Sequence, residues 1–345
     1  IRVQARNLGS KPVSVAGQEL LRDADASDAT VELLAGEIVA LSPRQLFWRR
    51  FREDRVAMAS AIVIVAVIVV AIAAPLIVSV IGVRGPNVQD PNLLGLFGQA
   101  TGPTGADPLG VDDLGQDTLA RIIYGMRISL EVGFVGTAIA TVVGTVIGLI
   151  AGFYGRWLDT LLMRMVDVFL AFPVIVLGLG IADACSDKGC LQVGGTALIQ
   201  PGLGSVIFIV ALASFTYIAR IVRGQVLSLR EKEFVEAAKS LGASNRRILF
   251  REILPNVATP LIVYSSLLIP TNILLEAALA FLGVGVQPPT ADLGAMIAAA
   301  GGDLLGGHPA WWNMVFPGAT LLIIVLAFNL VGDGLLDALN PKTNR

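Results

Sequence analysis

The sequence predicts an all-α integral membrane protein with six transmembrane helices, and three observations carry that reading. Hydrophobic residues make up 54% of the 345 residues and charged residues 15%, a balance too apolar for a water-soluble chain. Six predominantly apolar runs, at 56–83, 130–153, 166–181, 203–219, 261–282 and 315–330, alternate with polar stretches, and each approaches or exceeds the roughly 20 residues that cross a bilayer as a helix. The basic residues sort by side. Of the 25 Lys and Arg, all but Arg84, Arg121, Arg127 and Lys188 fall in the N-terminal segment, the loop after the second run, the 220–251 loop or the C-terminal tail. The positive-inside rule then places both termini and the 220–251 loop in the cytoplasm.

Residues 1–41 are polar and mixed in charge, without the apolar core of a secretory signal, and read as a cytoplasmic tail. Ser42 and Pro43 suit the N-cap and first position of a helix. Phe47 and Phe51 then share one face, with Arg49, Arg50, Arg52 and Arg55 on the other. The 42–55 segment therefore reads as a cytoplasmic interfacial helix or as a charged flank that sets topology. Residues 56–336 hold the six spans, with an exported loop at 84–127 rich in Gly, Pro, Asp and Asn and a cytoplasmic loop at 220–256; 337–345 form a cytoplasmic tail. No internal repeat of roughly 20 to 50 residues supports an inverted-repeat transporter. The net charge of −2 gives no sign of a nucleic-acid partner, and lipid is the expected surrounding.

Polar residues within spans are costly and face a cavity or a partner. Thr271, Asn272 and Glu276 give the fifth span a polar stripe beside Pro270, which either lines a translocation path or holds helices together by hydrogen bonds. Arg164 and Asp167, three apart at the entrance of span three, read as an ion pair. Gly133, Gly136, Gly144 and Gly148 indicate close helix packing in span two. Trp311 and Trp312 read as interfacial anchors on the exported side. Cys185 and Cys190 flank Ser-Asp-Lys-Gly, a turn sequence in an exported loop; a disulfide is expected there, with free thiols or metal ligation as the alternatives.

The chain carries no G-x-x-x-x-G-K-[ST] loop for phosphates, and His308 with two cysteines makes no zinc ligand set. It is expected to be a non-catalytic subunit without a cofactor or metal of its own.

The stretch 233–255, EFVEAAKSLGASNRRILFREILP, interrupts the apolar pattern most informatively. Phe234, Val235, Ala237, Ala238 and Leu241 form a short helical stripe, Gly242 can end that helix in a left-handed conformation, and a second helix can begin at Ser244 or Asn245. Glu236, Ala237 and Ala238, followed by Gly242 and then Leu254 and Pro255, resemble the EAA loop of the membrane subunits of bacterial ATP-binding-cassette importers. The segments 107–117, 167–173, 281–290 and 327–335 resemble the C-type permeases of dipeptide and oligopeptide importers in particular. Gln116, where relatives usually carry Arg, and Glu252, where the general loop pattern expects Ile, are departures. The resemblance implies a type I ABC importer permease fold in the bacterial inner membrane. It also implies a coupling role for Glu236, Ala237, Ala238, Gly242, Leu254 and Pro255. The implied partners are a homologous B-type permease, two cytoplasmic ATPase subunits that bind ATP and Mg, and an exported substrate-binding protein. Importers of metal chelates, haem or glutathione on the same scaffold are the alternative.

Overall fold

The computed structural model describes residues 43–95, 99–185, 190–193, 196–199, 201–305 and 310–339. The 1–41 tail, His308 and residues 340–345 lie outside the described residues. The chain divides between Arg50 and Phe51 into two units; of the first, the described part is the beginning of helix α1 (Pro43–Glu53). The following account concerns the second unit.

Asp54 caps α2 (Arg55–Ile72), its carboxylate accepting from the Val56 and Ala57 N–H groups at 2.9 and 3.1 Å. This helix continues after a break at Ala73 into α3 (Ala74–Ile81), where Pro75 occupies the first turn and Gly82 ends the helix at φ +77°. A long loop leads to α4 (Thr118–Tyr154), whose 37 residues extend about 55 Å at the α-helical rise. That is well beyond the ~30 Å hydrocarbon core, so the helix begins inside the loop read from the sequence.

Span three is bent. The sequence reads 166–181 as one run, but α5 (Arg156–Ala171) and α6 (Val174–Cys185) meet at 89°. The cause is Pro173: a residue before proline is driven out of the helical region, and Phe172 is extended at φ −89°, ψ 134°. Cys185, at the end of α6, is buried and disulfide-bonded. A two-stranded antiparallel hairpin, β1 (Cys190–Val193) and β2 (Thr196–Ile199), follows and is the one addition to an otherwise helical fold among the described residues.

α7 (Leu203–Leu229) packs along α4, and the glycines of α4 make this possible. A Cβ at Gly136 would lie 2.9 Å from Val210, and one at Gly144 would lie 2.6 Å from the Phe215 carbonyl oxygen. Helix backbones approach this closely only where side chains are absent. After a hairpin containing α8 (Glu233–Ser240), the chain runs through α9 (Asn245–Arg247), a π-helical stretch (Ile248–Ile253) and α10 (Leu254–Phe281) as one 37-residue helix. The short α11 (Leu293–Leu305) and α12 (Trp312–Leu339) complete the chain. Among the described residues, five helices are long and apolar enough to cross a membrane, and the bent α5–α6 pair, taken as one span, makes six. One apolar core joins α3, α4, α10, α11 and α12 through Val78, Ile123, Ile273, Leu293 and Ile324. A second, toward the hairpin, gathers Leu149, Val222, Val226, Ile248 and Ile253.

Candidate functional site

The α8 hairpin is built around one buried side chain. Val235, on α8, is fully buried among Val226, Ile248, Ile253 and their neighbours. The rest of the predicted stripe separates from it: Phe234, Ala237 and Leu241 are exposed, Leu241 to 88%, and Ala238 is half-buried. Phe234, Ala237 and Leu241 recur at helical spacing and present an apolar face with no cover among the described residues. Glu236 is exposed beside them, in the first turn of α8, where a carboxylate complements the helix dipole.

The turn ends α8 with a Schellman motif. Ala243 donates its N–H to the Ala238 carbonyl at 3.0 Å, and Gly242 donates to Lys239 at 2.9 Å. Gly242 sits at φ +77° with open space where a Cβ would be, so backbone conformation alone asks for glycine. Ser244 then caps the next helix, accepting from the Arg247 N–H at 3.4 Å. The π-helical stretch abuts Leu254 and Pro255. Proline offers no N–H and its ring crowds the carbonyl four residues back; the wider π turn makes room for it. Leu254 is half-buried against the second core and Pro255 is exposed.

The polar stripe of α10 splits in the same way. Asn272 is buried; its amide donates to Thr137 Oγ1 of α4 at 2.8 Å, and its Oδ1 accepts from Ser214 of α7 at 2.5 Å. Glu276 is fully buried and accepts from Ser129 of α4 at 2.9 Å. Thr271 is exposed and faces a groove of about 330 Å³ formed at the α5–α6 bend with Phe172, Leu177, Leu212 and Tyr217.

Two ion pairs toward the hairpin end of the bundle are tertiary. Asp167 accepts from Arg220 at 2.6 Å, where the sequence pairs it with Arg164, and Asp159 takes both ends of the Arg223 guanidinium at 2.5 and 2.7 Å. The i, i+3 spacing offered Asp167 a local partner, but helix packing supplies one from α7 instead.

Residues 144–345 match the family described as the binding-protein-dependent transport system inner membrane component, and residues 42–92 match the N-terminal TM domain of oligopeptide transport permease C. The chain belongs to this family of transport permeases. It is similar to the dipeptide transport system permease protein DppC of Alkalihalophilus pseudofirmus, at 38% identity over 89% of this chain and 92% of the relative. The glutathione transport system permease protein GsiD of Escherichia coli is 40% identical over 87% of this chain and 91% of the relative. Among solved structures, the inward facing MetNI methionine ABC transporter aligns with a TM-score of 0.50 at 22% identity, covering 64% of this chain and 97% of that one. The permease is thus a multi-pass inner-membrane protein with the fold of the ABC importer permeases.

At the opposite end of the permease from the α8 hairpin, charge and aromatic contacts hold the long loop before α4. Arg84 pairs with Asp90 at 3.2 Å and with Asp107, and Arg121 pairs with Asp112 at 3.5 Å and donates to Gln116. Gln116 thus supplies a neutral acceptor to Arg121. Burial pushes the Asp112 carboxyl above the usual carboxylate range, against the pull of the Gln116 N–H, Arg121 and the Leu114 N–H. Trp312 corrects its reading as a membrane anchor: it is buried, and its indole N–H donates to the Val111 carbonyl at 3.0 Å. Trp311 is half exposed and stacks edge-on against it. The sequence reading also missed Asp292, fully buried as the cap of α11 with its carboxylate accepting from the Ala295 N–H at 2.9 Å. An Asp directly before an apolar run was the available signal.

Proposed function

We propose that the permease forms half of the translocation pathway for short peptides in an ATP-driven importer and couples that pathway to separate ATPase subunits. The observation that carries the coupling role is the α8 hairpin: Val235 fastens it to the core while Phe234, Ala237 and Leu241 remain uncovered. A small, rigid, apolar face on a cytoplasmic loop suits insertion into a groove of another polypeptide. Glu236, Ala237, Ala238, Gly242, Leu254 and Pro255 make up this coupling element. Two cytoplasmic ATPases supply ATP and Mg, a homologous B-type permease completes the pathway, and an exported protein delivers the substrate. Both termini are cytoplasmic. Cysteines placed at Gly105 or Gly302 should therefore react with an impermeant thiol reagent in intact cells and one at Ser244 should not.

Of the polar stripe, Thr271 lines the pathway, while Asn272 and Glu276 hold helices together. Cys185 and Cys190 form a bridge that ties the end of α6 to the start of β1.

Peptide is the favoured substrate class because the similar proteins are named for dipeptide and for glutathione, the latter itself a short peptide. Glutathione is the second reading, with metal chelates and haem behind it. Uptake by the reconstituted importer, tested with dipeptides, longer peptides, glutathione, haem and metal chelates, decides among them. Uptake confined to haem or metal chelates would overturn the peptide reading. Uptake that persists without the ATPases would overturn the importer reading as a whole.

A further inference from the structure

Glu276 and Asp292 are both fully buried, and each keeps one carboxyl oxygen, Oε1 of Glu276 and Oδ2 of Asp292, without a donor among the described residues. Their other oxygens are engaged, by the Ser129 hydroxyl and by the Ala295 N–H. Glu276 adjoins Ala277, which meets Gly294 two residues past Asp292, and Asp292 is the charged neighbour of Glu276. An ionised carboxylate only accepts, so a hydrogen bond between two carboxyls exists only when one of them carries a proton.

The surrounding packing seats the start of α11 tightly against its neighbours. A Cβ on Gly294 would stand 2.3 Å from the Ala277 carbonyl oxygen, so the first turn of α11 rests directly on the α10 backbone. Leu293 is fully buried, and its side chain would lie 3.2 Å from a Cβ on Gly125 of α4. The acid pair is therefore the polar centre of a three-way junction: Ser129 from α4, Glu276 from α10 and Asp292 from the start of α11.

We propose that Glu276 and Asp292 form a proton-binding site, in which one shared proton latches the first turn of α11 to α4 and α10. Among the charged groups toward this end, Arg121 of α4 acts on Asp292 and is itself engaged by Asp112 and Asp113. Arg127 and Glu131 lie on α4 and Asp183 on α6, and the charged neighbour of Glu276 is Asp292. When the proton leaves for solvent, two adjacent buried anions remain, stabilised by the Ser129 hydroxyl, one backbone N–H and the field of Arg121. Like charges sharing a site in low dielectric repel, and the junction opens to hydrate them. Opening releases a proton, so acid favours the closed junction and base favours the open one.

Two measurements on the assembled transporter in lipid nanodiscs test this, and neither depends on the transported substrate. In infrared difference spectra across a pH step, the wild type should show a protonated-carboxyl C=O band that disappears toward alkaline pH. That band should be absent from Glu276→Gln and, separately, from Asp292→Asn, because an amide in either position donates to the remaining carboxylate without a proton. Persistence of the band in either variant overturns the shared proton. The second measurement is the alkylation rate of Met296→Cys, at a buried position of α11, relative to Ala299→Cys, at an exposed one. The ratio should rise several-fold from acid to alkaline buffer and stay flat when Glu276→Gln is added. Asp292→Asn, whose amide oxygen can still cap α11, gives the same reading if Glu276→Gln does not assemble. A ratio that is independent of pH, or that follows sodium concentration instead, overturns the proposal.

Discussion

Gly148 of α4 meets Ala219 of α7 so closely that a Cβ on the glycine would stand 2.6 Å from the Ala219 carbonyl oxygen and 2.7 Å from Val222. The obstruction is partly backbone, which cannot rotate aside, so Gly148→Ala should destabilise the permease by about 1 to 3 kcal/mol, the usual range for overpacking. Gly180, on α6, has nothing within 4 Å of a Cβ, and Gly180→Ala should gain up to roughly 1 kcal/mol from helix propensity. Thermal unfolding of the two variants should therefore move in opposite directions. Equal shifts would mean that the α4–α7 approach is looser than described.

Asn272 and Thr271 are adjacent in sequence and separable in effect. Asn272→Ala removes two interhelical hydrogen bonds and strands Thr137 and Ser214, both buried, which should cost about 1 to 3 kcal/mol. Thr271→Ala, at an exposed position on the groove, should change stability by less than about 0.5 kcal/mol while altering uptake. Detergent-solution melting combined with uptake assays distinguishes the two; a Thr271→Ala variant with unchanged uptake would remove that residue from the pathway.

Asp117 caps α4 through the Ala120 N–H at 2.7 Å and has its second carboxyl oxygen buried without a donor. Burial pushes this carboxyl above the usual carboxylate range, and the neighbouring Asp107 adds to the effect. A raised folded-state value contributes stability that is present at low pH and lost as pH rises through that value. Asp117→Asn keeps the cap, since Asn is as good at this position, and removes the charge. Its stability should fall less than the wild type's toward alkaline pH, as read from melting temperatures across a buffer series; parallel curves would show that Asp117 is ionised at no cost.

How much of this was legible before the structure depended on whether the signal was local. The six apolar runs and the sorting of Lys and Arg are properties of the sequence alone, and the glycines of α4 announced their packing by their spacing. The turn at Gly242 was readable for the same reason: stripe, glycine and cap are contiguous. Pro173 was visible, but the apolar residues on both sides of it read as one straight span. The Arg220–Asp167 and Arg223–Asp159 pairs join residues more than 50 positions apart, which no helical spacing reports. Glu276 stood out as a charge in a span, whereas Asp292 lay in a loop and became its neighbour only because Gly294 lets α11 descend onto Ala277.

The coupling proposal stands on a hairpin whose turn and face can be perturbed independently. Open space surrounds the missing Cβ of Gly242, so Gly242→Val meets no obstruction; its cost is the left-handed backbone at φ +77°, about 1 to 2 kcal/mol for a residue with a Cβ and more for a β-branched one. The Schellman bonds from Ala243 to Ala238 and from Gly242 to Lys239 should then give way, and α8 loses its fixed exit angle. Gly242→Asn, which tolerates this conformation better, should retain more function. Ala238→Arg leaves the turn intact and places a long charged side chain at the half-buried edge of the face, where its stem can run to solvent. Both Gly242→Val and Ala238→Arg should insert normally, because Val235 and the spans are untouched. Substrate uptake should fall sharply in both, with the ATPases dissociating or no longer stimulated by the loaded binding protein. Wild-type uptake and stimulated ATP hydrolysis in both normally inserted variants would show that α8 and its turn are not the coupling element.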